Sequence, residues 1–220
     1  MRQTVAVVGG GCSGVLAARE LLRRPGVEVL IIEPGEVGGG VAYGAAQPWH
    51  LLNSRAGAMS ADPGDPGHFA RWAGVSPQEF VPRPLYARYL RSVLDEAFAA
   101  HPGRLRVIKE RAVTVRPSPA GVVLADGQVV PADHVVLAVG NPAGAQPGNL
   151  TPEVREHAGY VADPWRTGAL EALPADRPVL LIGTGLTAVD VALTLTAAGR
   201  TAPVVAVSRR GLLPLTHTVT

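Results

Sequence analysis

The sequence predicts an α/β fold of the Rossmann type, in which parallel strands alternate with helices. Twice along its 220 residues a short apolar strand runs into a glycine-rich turn, and a helix and a second apolar strand follow. The two stretches are 4–32, which begins "TVAVVGGGCSGVLAARE", and 179–207, which begins "VLLIGTGLTAVD". Each stretch is a βαβ unit, and its near-continuous apolar strands are typical of a parallel sheet covered on both faces.

The elements follow from hydrophobic periodicity and from the Gly and Pro residues that interrupt it. A helix at Cys12–Arg24 separates strands at Thr4–Val8 and Val27–Ile32. The region 34–84 is rich in Gly and Pro, and a loop region of that length is usually functional. The remaining predictions are helices at His68–Ala73, Leu85–Ala100 and Leu186–Ala198, and strands at Leu105–Ile108, Ala112–Val115, Val122–Leu124, Val129–Val130, His134–Val139, Val179–Ile182 and Val204–Val207.

Composition limits the class of protein. The chain is 47% hydrophobic and 17% charged, which is typical of a globular protein. The net charge of +2 and the absence of long basic runs argue against a nucleic-acid partner. No apolar run reaches the roughly 18 to 20 residues that a membrane helix needs. A single cysteine, Cys12, excludes an internal disulfide, so the expected compartment is the cytoplasm, and no metal site is predicted.

The first glycine turn fits the pattern G-x-G-x-x-G through Gly9, Gly11 and Gly14, with Ser13 inside it. In this pattern the glycines allow a tight turn, a close approach of the backbone to a diphosphate, and packing of helix on strand. Glu33 ends the next strand, where a carboxylate can accept hydrogen bonds from ribose hydroxyls. The alternatives are a glycine turn without a ligand and a surface carboxylate. Cys12 is interpreted as a small packing residue.

The second glycine turn, Gly183, Gly185 and Ala188, has Leu186 and Thr187 at the start of its helix. The strand after it ends in "SRR", which is Ser208, Arg209 and Arg210, where an acid would select a free 2′-hydroxyl. A serine and two arginines suit a 2′-phosphate. We therefore predict NADP in this site, with solvated turn arginines as the alternative.

Two dinucleotide sites in one chain make chemical sense when electrons pass between two dinucleotides. Hydride transfer needs the donor and acceptor rings to be held a few ångströms apart, so positioning is much of the catalysis. FAD in the first site and NADPH in the second is the economical assignment.

Several further stretches resemble one group of flavoproteins over nearly the whole chain. They are "VAVVGGGCSG", "GGGVAYG", "HLLNSRAGAMS", "FVPRPLYARYL", "HVVLAVGNP", "DPW", "GTGLTAVDVAL" and "SRRGLLP". With them the chain is similar to the FAD/NAD(P)-binding family of the YdhS type, two-dinucleotide-binding flavoproteins that are related to flavin-dependent monooxygenases.

The resemblance implies a Rossmann-like FAD-binding domain, with a parallel sheet and a small β-meander, at 1–145. A truncated NAD(P)-binding Rossmann unit is expected at 146–220, because relatives continue for about as long again and end in a Gly-Asp motif that this chain lacks. FAD is expected on the first glycine turn and on Glu33. "HVVLAVGNP" resembles the second flavin motif, which includes Gly140, and Val113 lies where such proteins contact adenine through the backbone.

The segment "NSRAGAMS" is similar to the asparagine-to-methionine stretch of flavin-containing monooxygenases, where the asparagine lies beside the isoalloxazine. This similarity implies that Asn53 is the flavin-proximal catalytic residue and that Met59 and Ser60 line the site; an Asx-turn role for Asn53 stays open. His50 and Arg83 are interpreted as a packed or surface histidine and a structural arginine. The Phe-x-Gly-x-x-x-His-x-x-x-Trp signature of class B monooxygenases is absent.

Two functions follow from these observations. One is an FAD- and NADPH-dependent oxidoreductase acting on a small molecule, monooxygenase-like in the resemblance. The other is a truncated or split dinucleotide-binding module, not itself catalytic, that a partner chain completes. A homo-oligomer is a further alternative for the assembly.

Overall fold

A computed structural model describes residues 2–141, 144 and 146–216. The chain divides between residues 141 and 142 into two compact units, which we call the first and second units. The strands are β1 (Gln3–Val8), β2 (Val27–Ile32), β3 (Leu105–Ile108), β4 (Ala112–Pro117), β5 (Ala120–Leu124), β6 (Val129–Pro131), β7 (His134–Leu137), β8 (Val179–Ile182) and β9 (Val204–Val207). The helices are α1 (Cys12–Leu22), α2 (His68–Ala73), α3 (Arg83–Ala100), α4 (Pro152–Glu156) and α5 (Leu186–Ala197).

A four-stranded parallel sheet in the order β3-β2-β1-β7 forms the centre of the first unit. β1 and β2 are apolar along almost their whole length and are largely buried. Crossover connections from β1 to β2 and from β2 to β3 carry α1 and α3, as parallel strands require. This sheet places the carboxyl ends of β1, β2 and β7 at one edge, where the first glycine turn lies.

Two apolar clusters cover the faces of that sheet. The larger cluster packs α1, α2 and α3 against one face and contains the buried rings of Phe69, Tyr86 and Tyr89. The smaller one packs Val122 and Leu124 of β5 against Ala6, Val8 and Ile32 on the other face. Burial of such side chains stabilises a domain by roughly 1.5 to 3 kcal/mol each.

The antiparallel meander β4-β5-β6 accompanies the parallel sheet. Its second hairpin turns at Asp126-Gly127, where Gly127 has a φ of +85° and the Asp126 carboxylate accepts a hydrogen bond from the Gln128 amide. The Asp-Gly pair therefore acts as the predicted hairpin signal.

An ion-pair group ties the loop after β2 to its neighbours. The Glu36 carboxylate lies 2.8 Å from the Arg91 guanidinium of α3 and 2.8 Å from the Lys109 ammonium after β3. The hydrogen bonds from Lys109 and then Arg91 lower the pKa of Glu36. Because these side chains are exposed, the contacts orient the loop more than they stabilise the fold.

The second unit is built on the parallel pair β8-β9, which α5 connects. Asp190, Val191, Thr194 and Leu195 form the buried side of α5. The predicted α/β fold with two βαβ units is thus confirmed. None of the helices in the described residues is both long and apolar enough to cross a membrane.

Eight elements begin or end one or two residues away from their predicted bounds. α3 begins at Arg83, two residues early, because Pro84 is compatible with the first turn of a helix. β7 ends at Leu137, since Ala138 and Val139 turn towards Gly9. A π-helical turn at Gly40–Gly44, a 3₁₀ turn at Ala56–Ala58 and α4 were not predicted.

Candidate functional site

The first glycine turn packs so closely that two of its positions have no room for a side chain. Gly9 has a φ of +103°, and a Cβ atom there would lie 2.3 Å from the Ala138 carbonyl oxygen. A Cβ atom at Gly14 would lie 1.9 Å from the Gly9 carbonyl oxygen. Glycine at these positions therefore lets α1 approach β1 and lets the turn approach the segment after β7.

Gly11 differs from its neighbours because a Cβ atom there would make only an ordinary van der Waals contact. The nearest atom to a Cβ atom at this position is the Gly40 Cα, 3.7 Å away. Gly11 is the N-cap of α1 and makes no side-chain cap hydrogen bond, and the first turn of this helix contains no acidic residue. A helix start at an uncapped glycine fits a diphosphate, which the backbone amides and the helix dipole stabilise.

Glu33 closes the turn from the end of β2. One carboxylate oxygen accepts a hydrogen bond from the Gly10 amide at 2.8 Å, and the other accepts one from the Gly35 amide at 2.8 Å. Each carboxylate oxygen has a second lone pair. Glu33 therefore braces the turn and keeps acceptor capacity for hydroxyl groups.

Cys12 lies under the turn, beside two tyrosines. Burial raises the pKa of the Cys12 thiol, and a hydrogen bond with Tyr86 opposes part of that rise. Tyr43 of the π-helical turn packs edge-on to Tyr86 with ring centroids 4.8 Å apart, and burial raises the pKa of both hydroxyls. The group is neutral at physiological pH, which agrees with the interpretation of Cys12 as a packing residue.

Asn53 is held against the start of α3. The Arg83 guanidinium donates from Nη2 to Asn53 Oδ1 at 3.1 Å and from Nε to the Leu51 carbonyl at 3.0 Å. Backbone hydrogen bonds from Arg83 to His50 and from Leu52 to Val81, both 2.8 Å, join the same two segments. The Asn53 side chain is exposed, so its position is fixed while its surface remains accessible.

Met59 and Ser60 lie further along the same segment and are less accessible. Met59 packs against the larger apolar cluster. The Ser60 hydroxyl donates to the Asp65 carbonyl at 2.6 Å and lies 3.0 Å from the Asp62 carbonyl. Lining of a flavin site by these two residues stays a prediction. His50 is buried, with Nδ1 accepting a hydrogen bond from the Gln47 amide at 3.1 Å, so it is the packed one of the two alternatives.

Two predicted contacts lie at other parts of the first unit. Val113 falls at a bulge of β4, where the pairing with β5 shifts between Ala112 and Thr114, and its side chain is exposed. Gly140 follows β7 with a φ of +72° and nothing within 4 Å of a Cβ position. The approach of Ala138 to Gly9 brings the Gly140 segment to the first glycine turn.

The second glycine turn has a similar backbone conformation in the second unit but is less closely packed. Gly183 has a φ of +111°, and no atom lies within 4 Å of a Cβ position at Gly183 or Gly185. Gly185 is the N-cap of α5 without a side-chain cap hydrogen bond. Leu186 and Thr187 at the first turn are exposed. This turn therefore also leaves room for a diphosphate at a helix start.

The segment after β9 folds over a short turn. The Gly211 amide donates to the Ser208 hydroxyl oxygen at 3.0 Å, and the Thr184 hydroxyl donates to the Leu212 carbonyl. Arg209 and Arg210 are exposed on this turn. The two arginines thus lie on a segment that is tied back to the second glycine turn.

A cavity of about 420 Å³ in the second unit runs along the side of α5, between the helix and β8-β9. Ala188, Ala192 and Thr196 line it at intervals of one helical turn, and Thr184 of the second glycine turn and Leu213 line it as well. The cavity therefore extends from the second glycine turn along the flank of α5.

In the first unit the structure brings together the glycine turn, Glu33, the Gly140 segment and, through Tyr43 and Tyr86, the start of α3 that holds Asn53. Sequence reasoning missed the π-helical turn against Gly11 and the contact of Arg83 with Asn53. The glycine-rich "GGGVAYG" was the signal for the first, because only small residues allow such an approach. The second joins positions 30 residues apart and has no local signal.

Comparisons with known proteins agree with this geometry. The sequence profile of the FAD-NAD(P)-binding family matches residues 6–142. A solved structure of OTEMO in complex with FAD and NADP is 25% identical with a TM-score of 0.62, over 94% of this chain and 39% of OTEMO. Cyclohexanone monooxygenase with bound ε-caprolactone is 22% identical with a TM-score of 0.61, over 89% of this chain and 38% of that one, and is similar in fold alone. No curated protein matches the chain.

Proposed function

The chain belongs to the FAD-NAD(P)-binding family, and on this premise we propose that it works as an FAD-dependent oxidoreductase that takes its electrons from NADPH. The observation that carries the proposal is the pair of glycine turns, each of which leaves the second glycine at a helix start without a close clash at its Cβ position. The chain spans 39% of the length of OTEMO, the first of these relatives. The activity of the whole protein is therefore part of the proposal.

FAD fits the first unit. The amides at the start of α1, from Gly11 to Gly14, are the donors for its diphosphate, and Ser13 is exposed beside them. The spare lone pairs of Glu33 are the acceptors for ribose hydroxyls. The bulge at Val113 offers backbone groups for adenine, and Asn53 and Gly140 lie on the segments that we assign to the flavin ring.

NADPH fits the second unit by the same argument. Gly183, Gly185, Leu186 and Thr187 form the diphosphate site at the start of α5. Ser208, Arg209 and Arg210 are the donors for a 2′-phosphate, to which arginine binds strongly through its planar fork of N–H groups.

When bound, the two cofactors supply the redox chemistry, with NADPH as the hydride source and flavin as the acceptor that passes electrons on. The task of the chain is to bind and orient them and to exclude competing groups. The OTEMO structure contains FAD and NADP, and cyclohexanone monooxygenase has the same fold, which favours a small-molecule substrate and monooxygenase-like chemistry.

Anaerobic titration tests this function. The purified chain, reconstituted with FAD, is mixed with NADPH or NADH in a stopped-flow spectrometer while the flavin absorbance is followed. We expect bleaching with a preference for NADPH of about tenfold, since a charged hydrogen bond contributes about 1.5 to 3 kcal/mol. Absence of bleaching with both nucleotides contradicts the proposal.

Variants at the "SRR" segment test the choice of nucleotide. Arg209→Ala should remove most of the preference for NADPH and leave the rate with NADH unchanged, because only the 2′-phosphate contact is lost. Arg155→Ala, an exposed arginine of α4 in the same unit, is the matched control and should keep the preference. Equal rates with NADPH and NADH in the wild type would remove the 2′-phosphate assignment.

A split module that a partner chain completes is the second candidate. A colourless chain that acquires flavin only after another protein is added would favour the module over the enzyme.

A further inference from the structure

We propose that Arg83 is a positioning residue, which turns the carboxamide NH₂ group of Asn53 outward as a hydrogen-bond donor for bound flavin. The inference rests on the proposed function, because the flavin is the acceptor. It starts from the contact between Arg83 Nη2 and Asn53 Oδ1, which are 3.1 Å apart.

The chemistry of the guanidinium group fixes which end of the carboxamide faces it. A guanidinium carries five N–H donors and no acceptor, so it can pair only with the amide oxygen. With Oδ1 directed at Arg83, the Nδ2 group lies on the other branch of the planar carboxamide. Asn53 therefore presents its two N–H donors on the side of the carboxamide away from Arg83.

Arg83 holds two acceptors with two different nitrogens. Nε donates to the Leu51 carbonyl at 3.0 Å while Nη2 donates to Asn53. The rigid fork keeps both contacts in one geometry, whereas the single ammonium of a lysine is a flexible point charge. Arg83→Lys therefore keeps the positive charge and loses the fixed pair of contacts.

The backbone around the contact is fixed independently of the Arg83 side chain. The Arg83 amide donates to His50 and the Leu52 amide donates to Val81, each at 2.8 Å. Ala56 likewise donates to Glu79 at 2.8 Å. Because these bonds involve only main-chain atoms, the two segments should stay paired when the guanidinium is replaced.

A short series of contacts joins Arg83 to the first glycine turn. Tyr86, one helical turn after Arg83, is hydrogen-bonded to Cys12 at the start of α1. Tyr43 packs on Tyr86 and interacts electrostatically with Arg83. Asn53 is thus anchored on the element that also packs against the proposed FAD turn, and its exposed amide is accessible to a ligand there.

The first experiment tests the positioning without any cofactor. In the ¹⁵N-labelled 220-residue chain, the heteronuclear NOE of the Asn53 side-chain amide should be high in the wild type and should fall in Arg83→Lys. Arg55→Lys is the matched control, because Arg55 lies in the same segment and its described hydrogen bond is to Gln78; it should leave the Asn53 signal unchanged. A mobile Asn53 amide in the wild type overturns the inference, whether or not FAD binds.

The second experiment is a double-mutant cycle on FAD affinity, measured by fluorescence titration. Asn53→Asp keeps an oxygen for Arg83 but removes the donor. We expect Arg83→Lys or Asn53→Asp alone to weaken FAD binding by about threefold to tenfold, as for one hydrogen bond. Arg83→Lys should add less than about twofold in the Asn53→Asp background, because coupled contacts are not additive.

Equal effects of Arg83→Lys in both backgrounds overturn the inference and leave the proposed function intact. A chain that binds no FAD, although its Asn53 amide is ordered, overturns the proposed function and with it the role of the donor. The thermal unfolding midpoint of each variant separates these results from a loss of folding.

Discussion

Gly11 and Gly14 of the first glycine turn have different roles, because a side chain at each position would meet different surroundings. At Gly14 a Cβ atom would lie 1.9 Å from the backbone oxygen of Gly9, which cannot move without distorting the turn. At Gly11 the same atom would meet only the Gly40 Cα at 3.7 Å, which is an ordinary contact. Gly14 therefore serves the packing of the fold, and Gly11 serves the space that we assign to the diphosphate.

Alanine substitutions separate these two roles. Gly14→Ala should lower the free energy of unfolding by about 1 to 3 kcal/mol through overpacking. Gly11→Ala should lower it by only about 0.5 to 1 kcal/mol, as for an unfavourable N-cap. It should also weaken FAD binding by about tenfold or more, because the methyl group displaces the diphosphate from charged hydrogen bonds of about 1.5 to 3 kcal/mol.

Urea unfolding and FAD titration of the two variants check this difference. FAD affinity equal to the wild type in Gly11→Ala would show that the diphosphate does not lie over Gly11. Unchanged stability of Gly14→Ala would contradict the close packing of α1 on the turn.

Cys12 should react slowly in the native protein. Burial raises the pKa of its thiol, and the thiolate is the reactive species. Because the folded pKa exceeds the unfolded value of about 8.5, the neutral thiol favours the folded state fully below that pH, and this contribution declines as the pH rises through the folded pKa. Alkylation by iodoacetamide at pH 8, followed by mass spectrometry, should be much faster in urea, and equal rates would contradict the burial.

At the scale of elements, the carboxyl end of β2 controls the shape of the first glycine turn. Glu33 reaches across the turn to the Gly10 amide and forward to the Gly35 amide, while the Gly38 amide donates to the Gly10 carbonyl at 2.7 Å. The turn is therefore held in place by the end of β2 and the loop after it, as well as by α1.

Loss of the Glu33 carboxylate should weaken both the turn and FAD binding. Glu33→Ala should cost about 1.5 to 3 kcal/mol of stability, since two backbone donors lose a charged acceptor. Glu110→Ala is the control, because the Glu110 carboxylate bonds only the adjacent Arg111 amide among the contacts described; it should stay within about 0.5 kcal/mol of the wild type. Chemical denaturation measures both, and equal costs would mean that Glu33 does not brace the turn.

The elements that local patterns define were predicted well. α2, β2, β3, β8 and β9 have the predicted bounds, because Gly and Pro residues mark their ends. The start of α3 was wrong by two residues because Pro84 was not treated as part of the first turn. The π-helical turn has no hydrophobic period, so nothing in the sequence indicates it beyond its glycines.

The candidate site likewise contains residues that local patterns predict and residues that they do not. The glycine turns and the acidic or basic residue after each second strand are readable from local spacing, because one βαβ unit contains them all. Asn53 was predicted from resemblance alone. Its contact with Arg83 depends on the pairing of two loop segments, and such long-range pairing leaves no periodic signal.

At the scale of the whole molecule, the chain consists of two compact units that each contain a glycine turn. The first unit includes the four-stranded sheet, the meander and both apolar clusters. The predicted domain boundary at 145/146 stays a prediction, while the two compact units divide between residues 141 and 142. The two proposed functions, an oxidoreductase and a split module, also differ at this scale. The oxidoreductase requires both units, because each cofactor is assigned to one of them.

Residues 1–141 should fold without the second unit. The isolated segment should unfold cooperatively in urea, at a midpoint within about 0.5 M of the first unit in the full chain, because its sheet and core are its own. The isolated segment should also bind FAD. Addition of NADPH should leave the fluorescence of the bound FAD unchanged. Circular dichroism and fluorescence titration measure these properties, and a segment without cooperative unfolding would contradict the division.

The ion pair on the loop after β2 provides a specific site for chemical labelling. Lys109, which pairs with Glu36 on that loop, is the only lysine of the chain. An amine-reactive dye therefore has a single side-chain target besides the α-amino group, and acylation there abolishes the cation that faces Glu36. A fluorophore at this position reports on the loop next to the proposed FAD turn without any amino-acid substitution.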